Sequence, residues 1–177
     1  MKRWANPIRR AVALGAAALA VWSVPSLAQG WSADPDDALL LELHTGSYKV
    51  GDTLRGYQTP NGVCVDFADL IQTLDLPVRL DKKSRRATGW LFAEDQRITI
   101  DRDSNTVQTV NNHTQIPAGA IHDTPEGWCM DLDALSSWMG VRLKPDLRNL
   151  AIRLETDRKL PFLEAIERKS RAARLRK

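Results

Sequence analysis

The chain has 177 residues, 43% of them hydrophobic and 27% charged, with a formal charge of +3 and two cysteines. That length accommodates one domain or two small intertwined lobes. Lys2, Arg3, Arg9 and Arg10 supply four of the positive charges; without them +3 becomes −1, and the basic surplus that nucleic-acid binding requires is gone.

Those four residues form a positive n-region ahead of an apolar stretch from Ala11 to Val24. Pro25-Ser26-Leu27-Ala28 then places small residues where a signal peptidase needs them. This pattern predicts a cleavable secretory signal over residues 1–28. The chain is expected to be exported across the inner membrane and to act in the periplasm. The apolar stretch is shorter than the roughly 20 residues of a comfortable membrane span, though an uncleaved anchor is the alternative. No cysteine lies near Ala28, so no lipid anchor is expected.

Beyond the signal, short strands alternate with turns. Ala38 to His44 is an apolar-rich strand, Thr45-Gly46-Ser47 a turn, and Tyr48 to Val50 continues the hairpin. Val63 to Val65 is a strand behind Asn61-Gly62. Asp66 has the position of a helix N-cap. Phe67, Leu70, Ile71 and Leu74 recur at i, i+3, i+4 and i+7, one face of a helix that Pro77 prevents from continuing. Val78 to Leu80 is a brief strand, and Asp81 to Arg86 a charged turn. Gly89 to Ala93, Arg97 to Asp101 and Thr106 to Val110 predict a β-meander.

A second phrase then repeats the first. Trp128-Cys129-Met130 follows Gly127, Asp131 is the cap, and Leu132, Leu135 and Met139 line a helix that Gly140 ends. Val141 to Leu143 and Leu150 to Leu154 are strands around a turn at Pro145 to Asn149. Thr59/Thr124, Pro60/Pro125, Gly62/Gly127, Cys64/Cys129, Asp66/Asp131, Leu70/Leu135 and Asp81/Asp146 are identical at one constant offset. The expected fold class is α+β: a pseudo-symmetric, duplicated strand-helix-strand-strand unit within 29–157. Its repeats cover about 48–110 and 116–156. Residues 158–177 hold eight basic and two acidic residues and are expected to form a solvated, weakly docked connector helix. Attachment of this basic tail to an anionic membrane is the rival reading.

Gly62-Val63-Cys64-Val65-Asp66-Phe67, Leu74-Asp75-Leu76-Pro77-Val78-Arg79-Leu80-Asp81 and later Gly127 to Asp146 resemble the copper amine oxidase N-terminal-like domain, over roughly Tyr48 to Glu155. Domains of that family are stalks or binding modules of secreted and envelope proteins. The resemblance implies neither copper nor amine oxidation. The helix starts Asp66-Phe67 and Asp131-Leu132 depart from the Pro-Leu usual there. The order of exported start, LLLEL strand, paired unit and KLPFLEAIERKSRAARLR also resembles the N-terminal periplasmic region of usher-like outer-membrane proteins. That resemblance implies envelope protein partners, such as an outer-membrane barrel or fibre subunits.

Catalytic chemistry finds little footing. His113, His122 and Asp123 lack metal-site spacing, and no phosphate loop or nucleophile motif is present. Asp66 and Asp131 are better helix caps than catalytic carboxylates. No enzyme activity, cofactor or metal is expected. Trp90 and Trp128 are candidates for stacking on a partner or sugar; burial in the core is the competing reading for each. Cys64 and Cys129 hold equivalent places, so a twofold-related arrangement in an oxidising compartment predicts a disulfide between them. Two buried free thiols are the alternative. The expected function is a non-catalytic scaffold or interaction module of the bacterial envelope, with peptidoglycan or glycan binding as the alternative.

Overall fold

The computed structural model describes residues 31–158, 160, 162–165 and 168. The signal-sequence reading of 1–28 and most of the basic tail lie outside these residues. Among the described residues, a 3-10 turn at Pro35–Asp37 leads into twelve strands and two α-helices, and residues 162–165 are helical beyond them. The fold is α+β.

Strand β1 (Leu39–Thr45) turns into the long β2 (Tyr48–Thr59), followed by β3 (Gly62–Asp66) and helix α1 (Phe67–Thr73). A meander follows: β4 (Val78–Asp81), β5 (Arg86–Trp90), β6 (Arg97–Asp101), β7 (Thr106–Thr109) and β8 (Asn112–Gln115). The chain then makes β9 (Ile121–Asp123), β10 (Trp128–Asp131), helix α2 (Leu132–Met139), β11 (Arg142–Asp146) and β12 (Ala151–Glu155). Seven strands form one sheet in the order β11-β12-β1-β2-β3-β10-β9, and five form another in the order β4-β5-β6-β7-β8.

Both helices begin as the sequence predicts. Asp66 accepts from the Asp69 amide at 2.9 Å; Asp131 accepts from the Asp133 and Ala134 amides at 2.9 and 3.3 Å. Each cap satisfies amides that the first helical turn leaves without an internal partner. Phe67, Leu70 and Leu74 are buried from α1 and its cap; Leu132, Leu135 and Met139 are buried from α2. Alternation in the strands supplies the rest. Leu41, Leu43, Leu54, Val65, Met130 and Ile152 of the large sheet join Ala87, Ile98, Ile100 and Val107 of the small one in a single core cluster.

The ladders repeat at the separation of the two cysteines, 65 residues. Tyr57 faces Cys64 as His122 faces Cys129, and Asp81 faces Arg86 as Asp146 faces Ala151. Left-handed backbone recurs likewise, at Asp75 and Gly140 (φ 50° and 65°) and at Arg85 and Leu150 (φ 48° and 47°). The correspondence stops at the sheets. β4 and β5 belong to the five-stranded sheet, whereas β11 and β12 complete the larger one, where β12 runs parallel to β1.

Several elements differ from the sequence expectation. β2 extends nine residues beyond Val50, to Thr59. Gly51, Asp52 and Gly56 disguise it, because the strand is held by partners on both sides rather than by its own alternation. The ladder shifts between Glu42 and His44, opposite the stretch where Gly51 takes φ 60°. β5 starts at Arg86, inside the expected charged turn. β8 and β9 lie where no strand was expected; β8 reads Asn-His-Thr-Gln and is exposed at all four positions. The tail starts differently too. Leu160 is fully buried, Phe162 and Leu163 pack on the core, and the Phe162 ring lies 6.4 Å from that of Phe92. The start of the connector is thus docked by apolar contact rather than solvated.

Candidate functional site

The four sheet edges are unequal. β11 carries Lys144 and Pro145, which blunt an edge, and β9 is only three residues long. β4 carries Arg79 and Asp81. β8 has no Asp, Glu, Lys, Arg or Pro in its four residues, and all four are exposed. The Ile116 amide donates to the Asn105 carbonyl at 3.0 Å, at the end of the β7–β8 ladder. Alternation along an antiparallel ladder then turns the Asn112 and Thr114 amides toward β7. It turns the main-chain groups of His113 and Gln115 outward.

A cleft of about 720 Å³ adjoins this edge, between the β7–β8 hairpin and the C-terminal end of α2. Val110, Asn112, Gln115, Trp138 and Arg158 are among its walls, and Val110 is 59% exposed. Gly140 closes α2 in the left-handed region at φ 65°, and a Cβ there would stand 3.1 Å from the Arg158 guanidinium. The Gln96 side-chain carbonyl, in the same wall, is buried without a hydrogen-bond partner among the described residues.

The two candidate tryptophans separate. Trp90, at the end of β5, is 40% exposed on the open face of the small sheet. Trp128, on β10, is 4% exposed, with the Arg102 guanidinium 5.1 Å from its ring centre. Arg102 also makes a two-pronged ion pair with Asp123, one arm at 2.8 Å, which holds the Asp123 carboxyl below its usual range. Trp128 is therefore a core residue, and a stacking role for its ring is set aside. The exchange follows from burial: Trp128 sits between β3 and β9, whereas Trp90 ends its strand.

Cys64 and Cys129 form a disulfide, with Cα atoms 5.3 Å apart. It lies in a small cluster of its own with Tyr57, covered by Trp31 and Ala33. The Trp31 ring meets His122 edge-on at 4.6 Å and Tyr57 at 6.2 Å. Tyr57 donates its hydroxyl to Glu126 at 3.0 Å; burial, then that carboxylate, pushes the phenol up. Sequence reasoning gave Trp31 no role, because nothing local to residues 31–33 marks a partner so distant in the chain.

The histidines stay apart. His44 bonds Glu42 at 2.9 Å, His113 is exposed on β8, and the His122 Nε2 is buried without a hydrogen-bond partner among the described residues. No group of three metal-ligating side chains exists among the described residues. Asp66 and Asp131 are spent on caps. Burial pushes the Asp66 carboxyl up, against the pull of the Asp69 amide. The Arg55 guanidinium, bound bidentately at 2.8 Å, holds the Asp69 carboxyl down.

Among the described residues, no helix is long and apolar enough to cross a membrane. The disulfide fits a secreted or periplasmic protein. Comparison with protein-family profiles, with curated proteins and with solved structures returns no match.

Proposed function

We propose that this chain is a non-catalytic interaction module of the bacterial cell envelope, working outside the inner membrane. The carrying observation is the uncharged edge of β8, exposed at all four positions, beside the Trp138 cleft. An extended segment of a partner protein adds there as a further strand. Main-chain bonds to His113 and Gln115 supply affinity, and the cleft receives a side chain. The fold behind it is a duplicated strand-helix-strand-strand unit of the copper amine oxidase N-terminal-like kind. Equal ladder registers and equal left-handed positions 65 residues apart support the duplication. The chain's organisation resembles the periplasmic region of usher-like proteins, so the partner is an outer-membrane barrel or a fibre subunit.

The test uses photo-crosslinking side chains placed at His113 and, as a control, at Lys144 on the blunted edge. A specific adduct from position 113 in envelope preparations, absent from 144, is expected. His113→Pro removes an outward amide and spares the ladder with β7, so it should abolish the adduct made from a crosslinker at Gln115. Equal adducts from both edges, or an adduct indifferent to His113→Pro, would overturn the reading.

A further inference from the structure

We propose that the open face of the five-stranded sheet, centred on Trp90, binds a polysaccharide whose sugar rings carry carboxylates. This does not rest on strand addition at β8. Trp90 is 40% exposed and is the one aromatic among the large exposed apolar side chains of the described residues. It stands over a shallow depression of about 610 Å³ whose walls include Arg79, Thr88, Arg97 and Thr99.

Register defines what surrounds the ring. Arg97 lies directly across from Trp90 on β6. Arg79, Thr88, Thr99, Gln108 and His113 follow one another across all five strands in a single row of paired positions. Residues in one row point to the same face. The row crosses four strand spacings, roughly 19 Å, and every member carries a hydrogen-bonding side chain. The neighbouring cation Arg86 is engaged by Asp101 at 3.6 Å. Arg79 and Arg97 make no ion pair among the described residues. Asp81 makes no ion pair with Arg79: its carboxylate is held down first by the Ser84 and Lys83 amides, at 3.1 and 2.9 Å, and feels the Arg79 charge only as a lesser effect.

The combination selects a ligand class. An exposed indole offers a flat apolar face for a sugar ring, and the hydroxyl and amide row matches sugar hydroxyls. Two guanidiniums without ion pairs, two strands and two residues apart, roughly 12 Å, call for carboxylates on different rings. An acidic peptide is less suited. β5 and β6 are paired on both sides, so this face has no free main-chain groups for a strand to use. The chain that fits is linear, negatively charged, and laid across the strands.

Calorimetry on the exported protein, at low salt, decides the matter with four probes: hexameric oligogalacturonate, hexameric oligomannuronate, the neutral cellohexaose and a hexaglutamate peptide. At least one uronate hexamer should bind at least tenfold more tightly than the neutral hexamer or the peptide. Trp90→Ala and the double variant Arg79→Gln/Arg97→Gln should each weaken that binding at least tenfold, while Trp90→Tyr retains most of it. Unchanged melting temperatures keep folding out of the comparison, because these side chains lie outside the core. Neither uronate binding, cellohexaose or hexaglutamate binding equally well, or indifference to Trp90→Ala would each overturn the proposal. Trp90→Ala should leave crosslinking at His113 intact, so the two readings fail separately.

Discussion

Val65 faces Met130 across the β3–β10 ladder, and the pairing is reciprocal about them: Cys64 faces Asp131, and Cys129 faces Asp66. The two cysteines thus lie diagonally across a pair of adjacent strands, close enough to bridge. The same reciprocity sets two helix-capping aspartates at the ends of one ladder.

Removing the bridge should cost much of the stability. The chain-entropy account gives about 4 kcal/mol for a closed loop of this size. Cys64→Ala/Cys129→Ala should lower the denaturant midpoint and steepen the slope, because the unbridged unfolded chain exposes more surface. Intact-mass measurement after alkylation of the native protein should find no reactive thiol; two alkylated thiols would contradict the bridge.

Trp31 should protect that bridge. It covers the disulfide together with Ala33 and meets two aromatic rings. Trp31→Ala should cost on the order of 1–2 kcal/mol and speed reduction by dithiothreitol severalfold. Reduction kinetics followed by mass spectrometry provide the check; an unchanged rate would show that the cover is not protective.

Asp66 and Asp69 should titrate in opposite senses. The Asp69 carboxyl is depressed by Arg55, so its stabilisation is full above the unfolded value near 3.8 and is lost as pH falls through the lower folded value. The Asp66 carboxyl is raised by burial, so its contribution is full below 3.8 and is lost as pH rises through the higher folded value. Asp69→Asn should flatten the acid side of the stability profile. Asp66→Asn keeps the cap and removes the buried charge, so at pH 7 it should match or exceed wild type, whereas Asp66→Ala should lose about 1 kcal/mol. Urea melts between pH 3 and 7 measure all three.

Leu160 should behave as a core residue. It is fully buried although it lies beyond the last strand. Leu160→Ala should cost about 2–4 kcal/mol, and truncation after Thr156 should cost at least as much. A change under 0.5 kcal/mol would show that the segment is only loosely held.

The sequence by itself determined the helix ends and part of the strand pattern. Asp66 and Asp131 mark helix starts because a short carboxylate satisfies free amides wherever a helix begins. Gly140 marks a helix end because it adopts left-handed backbone at little cost. The meander at Arg97–Asp101 and Thr106–Thr109 is legible in period-two alternation. Paired phrases 65 residues apart also led to the disulfide, since their cysteines hold corresponding places. Only the tertiary structure decided which sheet each strand joins, and with that which residues face solvent. β1 slots parallel beside β12 through contacts more than a hundred residues apart, which no local pattern encodes. Burial of Trp128, exposure of Trp90 and the open β8 edge all follow from that assignment. A strand's propensity is local, but its neighbours are chosen by the whole chain.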